Sequence, residues 1–340
     1  MVMVVGTIAT TFYGIPYVKC SHRSNHSFLL FKYKEARMKW DVAFIDGDRI
    51  TMGAGFGSEK SIKGKLIHVD PLPFALYKAK LTINKIKRAV DANEYVIFIG
   101  DSGHKHFRYK VAKTLPYKGN RKDVKRPEHE AAIREYLVRY HSAKIVRGVE
   151  VDDALGIEQW KYLVKSAKTG ELLRGTSIIC SNDKDLDMIP GWHYDIDYGI
   201  ERRSGDRTYI MKSYKKSQIY FIKDPGFLAL RKNNRNNKNV LIGGGQLWFC
   251  AQLLMGDKTD NIPSCPKDAK NGFGPVSTFE VLKDCKTFQE GVGICWGLYK
   301  ENLKEDPPES IKNRFLEVAR LVWIKRKIKK DIIFPIEWLN

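Results

Sequence analysis

Four short apolar runs, each followed closely by acidic residues, constrain this chain more than any other feature. Residues 42–45 lead into Asp46-Gly47-Asp48, and residues 95–99 into Gly100-Asp101. Residues 144–146 run toward Glu150, and residues 176–180 toward Asp183 and Asp185. Continuous apolar runs of this length suit strands buried on both faces. A fifth acidic motif, Met255-Gly256-Asp257-Lys258-Thr259-Asp260-Asn261, follows a helical pattern that begins at Gly245 and stops at Gly256.

Helical periodicities separate the runs. Leu76, Ala79, Ile83, Ile86 and Val90 recur at helical spacing, and Ile133, Tyr136, Leu137 and Tyr140 form one face of a second helix opened by Glu128 and Glu130. A third pattern runs from Asp152 to about residue 167. This alternation predicts an α/β fold with a largely parallel central sheet flanked by helices. Ligands of such sheets bind outside the carboxyl ends of the strands, where these acids fall.

Residues 201–241 depart from the alternation and predict a basic insert or β-hairpin, with Asn233, Asn234, Asn236 and Asn237 in a loop. Farther on, Ile311, Phe315, Val318 and Val322 are again spaced as a helix. The expected organisation is an N-terminal extension over 1–40, an α/β core over 41–200, the insert over 201–241 and a helical region over 242–340. No run reaches the roughly 20 apolar residues that span a bilayer, so no membrane association is expected. Gly6, Gly14 and Pro16 interrupt the first 18 residues, which do not read as a signal peptide.

The chain carries 59 Lys and Arg against 39 Asp and Glu, a net charge of +20. That excess favours anionic partners, nucleic acid first and acidic lipid second. Carboxylates gathered on such a chain repel one another, each close pair by about 1 kcal/mol in water and about 4 at an effective dielectric of 20. Mg2+ prefers oxygen donors and is held by a few carboxylates and substrate phosphate. Two such ions roughly 3.5–4 Å apart assist phosphodiester cleavage. Singly, each motif has a plainer explanation: a turn at Asp46-Gly47, a helix cap at Asp152 or Asp153, a capped turn at Ser181-Asn182-Asp183, a solvated loop at Asp257 and Asp260. Together on one basic chain they point to a nuclease. The six cysteines form no CxxC pair, which gives no support for structural zinc and fits a reducing compartment.

In this order, Asp46-Gly47-Asp48, Phe98-Ile99-Gly100-Asp101, Tyr117-Lys118-Gly119-Asn120-Arg121, Gly148-Val149-Glu150-Val151-Asp152-Asp153, Ser181-Asn182-Asp183-Lys184-Asp185 and Met255-Gly256-Asp257-Lys258-Thr259-Asp260-Asn261-Ile262-Pro263 resemble the structure-specific 5′ nucleases. These are the flap endonucleases and the 5′→3′ exonucleases of bacteriophages and bacterial DNA polymerase I, with the likeness running toward the phage branch. It covers about residues 42–285. It implies a PIN-like 5′ nuclease core, a C-terminal helix-hairpin-helix-type region that binds duplex, and a role in DNA replication or repair in the cytoplasm, that of a host for a viral chain. It also implies two Mg2+ ions, replaceable by Mn2+. Asp46, Asp101, Glu150 and Asp152 match the first metal site. Asp153, Asp183, Asp185, Asp257 and Asp260 match the second, with Asp152 and Asp153 not apportioned firmly between the two. Asp48 is a weaker ligand candidate.

Between His104 and Arg126 stand nine Lys or Arg residues and one acid, Asp123, with Phe107, Tyr109 and Tyr117 interleaved. Such a stretch is either a solvated loop or a groove where rings stack on bases and cations hold phosphates. Lys118 and Arg121 match family residues that act at the scissile phosphate. The likeness has Tyr117 stacking on the adjacent base and Arg108 as a further phosphate contact. Only 28 residues separate Arg121 from Glu150, short for the family's helical arch, so an open cleft acting on free 5′ ends is expected. The sequence around Gly272-Phe273-Gly274-Pro275 suits a turn into a helix, either an ordinary interhelical turn or one whose N–H groups hold duplex phosphate, and the resemblance implies K+ at this hairpin. Expected substrates are DNA with a duplex region and a 5′ end or flap, and RNA–DNA hybrid. Rival readings are a PIN-type ribonuclease and an inactive DNA-binding protein.

Overall fold

The first apolar run becomes β1 (Lys39–Asp46) in the computed structural model, and its last five residues are all buried. The helix α1 (Gly47–Gly57), the hairpin β2 (Glu59–Ile62) and β3 (Lys65–Val69), and α2 (Leu72–Ala89) lead to β4 (Asp91–Gly100). A short α3 (Arg108–Val111) and α4 (Glu130–His141) precede β5 (Lys144–Val146) and α5 (Val151–Lys161). Next come the hairpin β6 (Leu163–Lys165) and β7 (Leu172–Gly175), then β8 (Ser177–Ser181) and β9 (Gly191–Asp195). The strands β10 (Glu201–Ser204), β11 (Arg207–Ile210), β12 (Ile219–Ile222), β13 (Phe227–Lys232) and β14 (Asn239–Gly244) follow. The chain closes with α6 (Gly245–Met255), α7 (Pro275–Leu282), α8 (Phe288–Asn302) and α9 (Pro308–Val322).

The structure describes residues 39–339 apart from 63–64, 102, 104, 122–123, 166–171, 198–200, 205–206, 211–217, 234–236, 269–270 and 329–332. The expected extension over 1–40 therefore lies almost wholly outside the described residues. Residues Lys39–Asn340 cluster as one unit. Val42 and Phe44 of β1 share a single apolar core with Phe249 of α6 and Phe315 of α9.

The central sheet has the order β12-β9-β8-β1-β4-β5. All its pairs are parallel except β9 with β12. The fold is α/β with a mostly parallel sheet flanked by helices. From β1 the chain moves outward to β4 and β5, then returns to β8 on the other side of β1. The crevice between the carboxyl ends of β1 and β8 is thus a topological switch point.

Three local expectations need correction. The helix after Asp152 stops at Lys161, and Leu163–Lys165 is a strand paired with β7. On α4 the buried residues are Ile133 and Leu137, while Tyr140 is 75% exposed. Within 201–241, β10–β11 and β13–β14 are hairpins, but β12 joins the central sheet as its antiparallel edge. Asn237 takes φ 53° in the loop between β13 and β14, a conformation Asn tolerates better than most residues. Among the described residues no helix is long and apolar enough to cross a membrane.

Candidate active site

Parallel strands ending on one edge bring residues from distant parts of the sequence together. Asp46 ends β1 and caps α1, its Oδ1 accepting from Arg49 N at 3.0 Å. Its other oxygen accepts from Ser181 Oγ at 2.8 Å, at the end of neighbouring β8. Two residues on, Asp183 caps a tight turn by accepting from Asp185 N at 3.0 Å. Glu150 and Asp152 open α5, and Asp257 and Asp260 follow the C-cap of α6. Gly256 there takes φ 62°, and a Cβ would fall 2.4 Å from Ile262 O, so glycine is required.

These side chains line a cavity of about 410 Å3 that contains Asp46, Glu150, Asp152, Asp183, Asp185, Asp257 and Asp260. Its rim is cationic, with Arg49, Lys118, Arg121, Arg126, Arg134 and Lys184. Burial pushes Asp46 up to about 7, and the charges of Asp48 and Asp183 add to it against the Arg49 and Ser181 hydrogen bonds. Asp185 is likewise pushed to about 7 by burial and by Asp183, Asp257 and Asp260, against the pull of Lys184. Asp152 is raised by burial and by Asp183, Asp46 and Glu150.

Glu150 behaves oppositely. Burial alone would raise it, but the His106 hydrogen bond and the Arg108 and Lys118 cations outweigh that and hold it well below the usual carboxylate range. Lys118 Nζ pairs with Glu150 Oε1, and Arg121 Nη2 with Asp260 Oδ1. Burial would lower Lys118, yet Glu150 and Asp260 raise it, so it stays cationic.

The segment bearing these cations is fastened to the acidic loop. Lys118 N donates to Asp260 O at 2.8 Å, Arg121 Nε to Thr259 O at 3.0 Å and Asn120 Nδ2 to Lys258 O at 2.7 Å. In return Asn261 Nδ2 donates to Pro116 O at 2.9 Å. Lys118 and Asn261 both take positive φ, 54° and 59°, within this junction.

Several expected residues lie outside the cavity or are held by other partners. Asp153 is fully buried and faces away from the cavity, because successive residues of a helix point about 100° apart. Its carboxylate accepts from Glu150 N at 3.2 Å and pairs with Arg108. Arg108, expected at a phosphate, is 2% exposed and committed to that pair. Tyr117, expected to stack on a base, is 4% exposed. Its hydroxyl sits 2.6 Å from Asp260 Oδ2 and 3.0 Å from Glu150 Oε2. Asp101 accepts from Arg147 Nε at 3.1 Å and lines an adjoining cavity rather than the acidic one. Asp48 lines the acidic cavity but is held by Arg134 Nη1 at 2.9 Å and Gly100 N at 3.2 Å. Gly272 and Gly274 line neither cavity, and Gly274 N already donates to Ser277 Oγ at 3.0 Å.

Sequence reasoning missed Gln252, which is buried on α6 and donates to Asp185 Oδ1 at 2.7 Å. A lone amide in the apolar stretch Leu247-Trp248-Phe249-Cys250-Ala251-Gln252-Leu253-Leu254 was the available signal. It also missed the rim residues Arg49 and Arg134.

Oxygen donors whose negative charges repel one another suit a hard divalent cation in type and in sign. Asp46, Asp152, Asp183, Asp185 and Asp257 would hold it. Among the described residues no three His, Cys, Asp or Glu side chains form a ready-made coordination group. No protein-family model matches the chain, and no curated protein matches it.

Proposed function

We propose that the chain is a metal-dependent 5′ nuclease that hydrolyses phosphodiester bonds in DNA carrying a duplex region and a 5′ end or flap. What carries this reading is the meeting of Asp46, Asp152, Asp183, Asp185 and Asp257 on one cavity with a cationic rim. These carboxylates would hold two Mg2+ or Mn2+ ions, whose charge would help activate water and stabilise the leaving oxygen in such hydrolysis.

The chain's own residues do the remaining work. Lys118 and Arg121 already lie against carboxylates, and an entering phosphate offers them competing anionic oxygens. Their fixed charge offsets charge developing on the phosphoryl group. Gln252 holds Asp185 in one orientation, and Ser181 does the same for Asp46. In this reading the central sheet is a PIN-like core, and α6, the 256–274 loop and α7 form the duplex contact of helix-hairpin-helix type, with K+ held at the loop. RNA–DNA hybrid is a further substrate.

The test is digestion of end-labelled flap, nicked and blunt DNA, with RNA–DNA hybrid alongside, in Mg2+ and in EDTA. Mg2+-dependent release of products from the labelled 5′ strand supports the reading. Absence of cleavage on every substrate sinks it. Binding weakens by roughly 10³–10⁵ between 50 and 200 mM salt if about 6–10 phosphates are contacted.

A further inference from the structure

The acidic cavity adjoins a second one of about 910 Å3. Lys118, Arg121, Arg134 and Glu150 line both. Another part of the second cavity is lined by Lys105, His106, Tyr109 and Val149. Tyr109 is 38% exposed against 4% for Tyr117. The rings of His106, Tyr109 and Tyr117 pack edge to face, with centroids 4.9 Å apart for His106 and Tyr109, 5.4 Å for the tyrosines and 5.6 Å for His106 and Tyr117. That mutual packing fixes Tyr109 while leaving much of it open. Lys105 Nζ stands 5.8 Å from its ring centroid. Beneath, His106 Nδ1 is buried with no hydrogen-bond partner among the described residues.

We propose that Tyr109 is the platform on which an unpaired nucleobase beside the cut stacks, the second cavity being the pocket for a single-stranded nucleotide. This inference rests on the nuclease reading and moves the stacking role away from Tyr117. Freeing the Tyr117 ring would take its buried hydroxyl from two carboxylates, those of Glu150 and Asp260. Tyr109 carries no such duty. An exposed ring beside lysine and arginine is the pairing that single strands use, base on ring and phosphate on cation. The shared wall lets one strand place a phosphate in the acidic cavity and its neighbouring base on Tyr109.

The experiment is binding in EDTA, where nothing is cut, of flap DNA with 2-aminopurine at the first position on either side of the junction. Tyr109→Phe keeps the ring, and Tyr109→Leu keeps the bulk without it. Quenching at one position by the unsubstituted protein and by Y109F, lost in Y109L with a Kd about 5- to 150-fold weaker, is the expected result, the span of one base–aromatic stack. Equal quenching and affinity in all three proteins overturn the assignment. Cross-linking from 5-iodouracil at the same positions of the unsubstituted protein does not depend on the folding of a variant. An adduct on Tyr109 supports the assignment and one on Tyr117 overturns it. DNA that binds without either signal overturns the Tyr109 platform alone, whereas failure to bind any DNA overturns the nuclease reading with it.

Discussion

Arg108 presents Nη1 at 2.6 Å and Nη2 at 2.9 Å to the two carboxylate oxygens of Asp153. The same guanidinium donates from Nε to Leu321 O at 2.9 Å and from Nη2 to Trp323 O at 2.7 Å. Asp153 Oδ1 also accepts from Lys325 N at 3.0 Å. One buried pair therefore joins α3, α5 and the end of α9. Breaking such a pair from one side leaves an uncompensated charge and costs about 3–5 kcal/mol. Asp153→Ala should lower the urea midpoint accordingly, and an unchanged midpoint would refute this structural role.

Asp183 predicts the reverse. It faces Asp46, Asp152 and Asp185, and its charge raises all three. Asp183→Asn should leave the metal-free melting temperature unchanged or raise it. It should also remove most of the stabilisation by Mg2+ and reduce cleavage by at least about 10²–10³, the scale of losing one preorganised electrostatic group. Calorimetric melting with and without Mg2+ separates these effects, and a lowered metal-free melting temperature would contradict the repulsion argument.

Metal-free stability should fall as pH rises from about 4 to about 7. Asp46 and Asp185 titrate near 7 when folded, against about 3.9 for an unfolded Asp. Across that window the folded chain keeps protons that the unfolded chain has released, so rising pH favours unfolding until both groups are ionised. Glu150 acts in the opposite sense and at lower pH, since its lowered pKa adds stability that acid removes. Melting temperatures in EDTA across pH 5–8 check the slope, and Mg2+ should flatten it.

Gln252 donates to Asp185 from the otherwise apolar stretch Leu247–Leu254 of α6. Gln252→Leu keeps the helix and removes that donor. Metal affinity should drop about 10–100-fold, the usual effect of losing an outer partner of a ligand. Titration calorimetry with Mg2+ measures it, and an unaltered affinity would show that Asp185 needs no such support.

The strands and the edge on which the acids gather were legible because the runs ending at Ile45, Ile99 and Cys180 are apolar on both faces. That pattern fixes burial without any tertiary knowledge. Side-chain direction was not legible in the same way. Asp152 and Asp153 are chemically identical neighbours, and only the way α5 is turned against the sheet and Arg108 decides which one leaves the cavity. Tyr117 and Tyr109 are equally aromatic on paper, and their different exposure comes from the junction with residues 258–261, far along the chain. The joining of β12 to the central sheet depends on a long-range pairing with β9 that local periodicity does not encode.

Because Asp257 and Asp260 lie beyond α6 while Asp46 lies at the end of β1, the cavity has no contiguous blueprint. A chain cut before Met255 would lose one wall of the acidic chamber and the anchor that fastens Lys118 and Arg121, together with the α9 side chains that share the core of the sheet. Metal affinity should therefore depend on a segment more than 200 residues along the chain from Asp46.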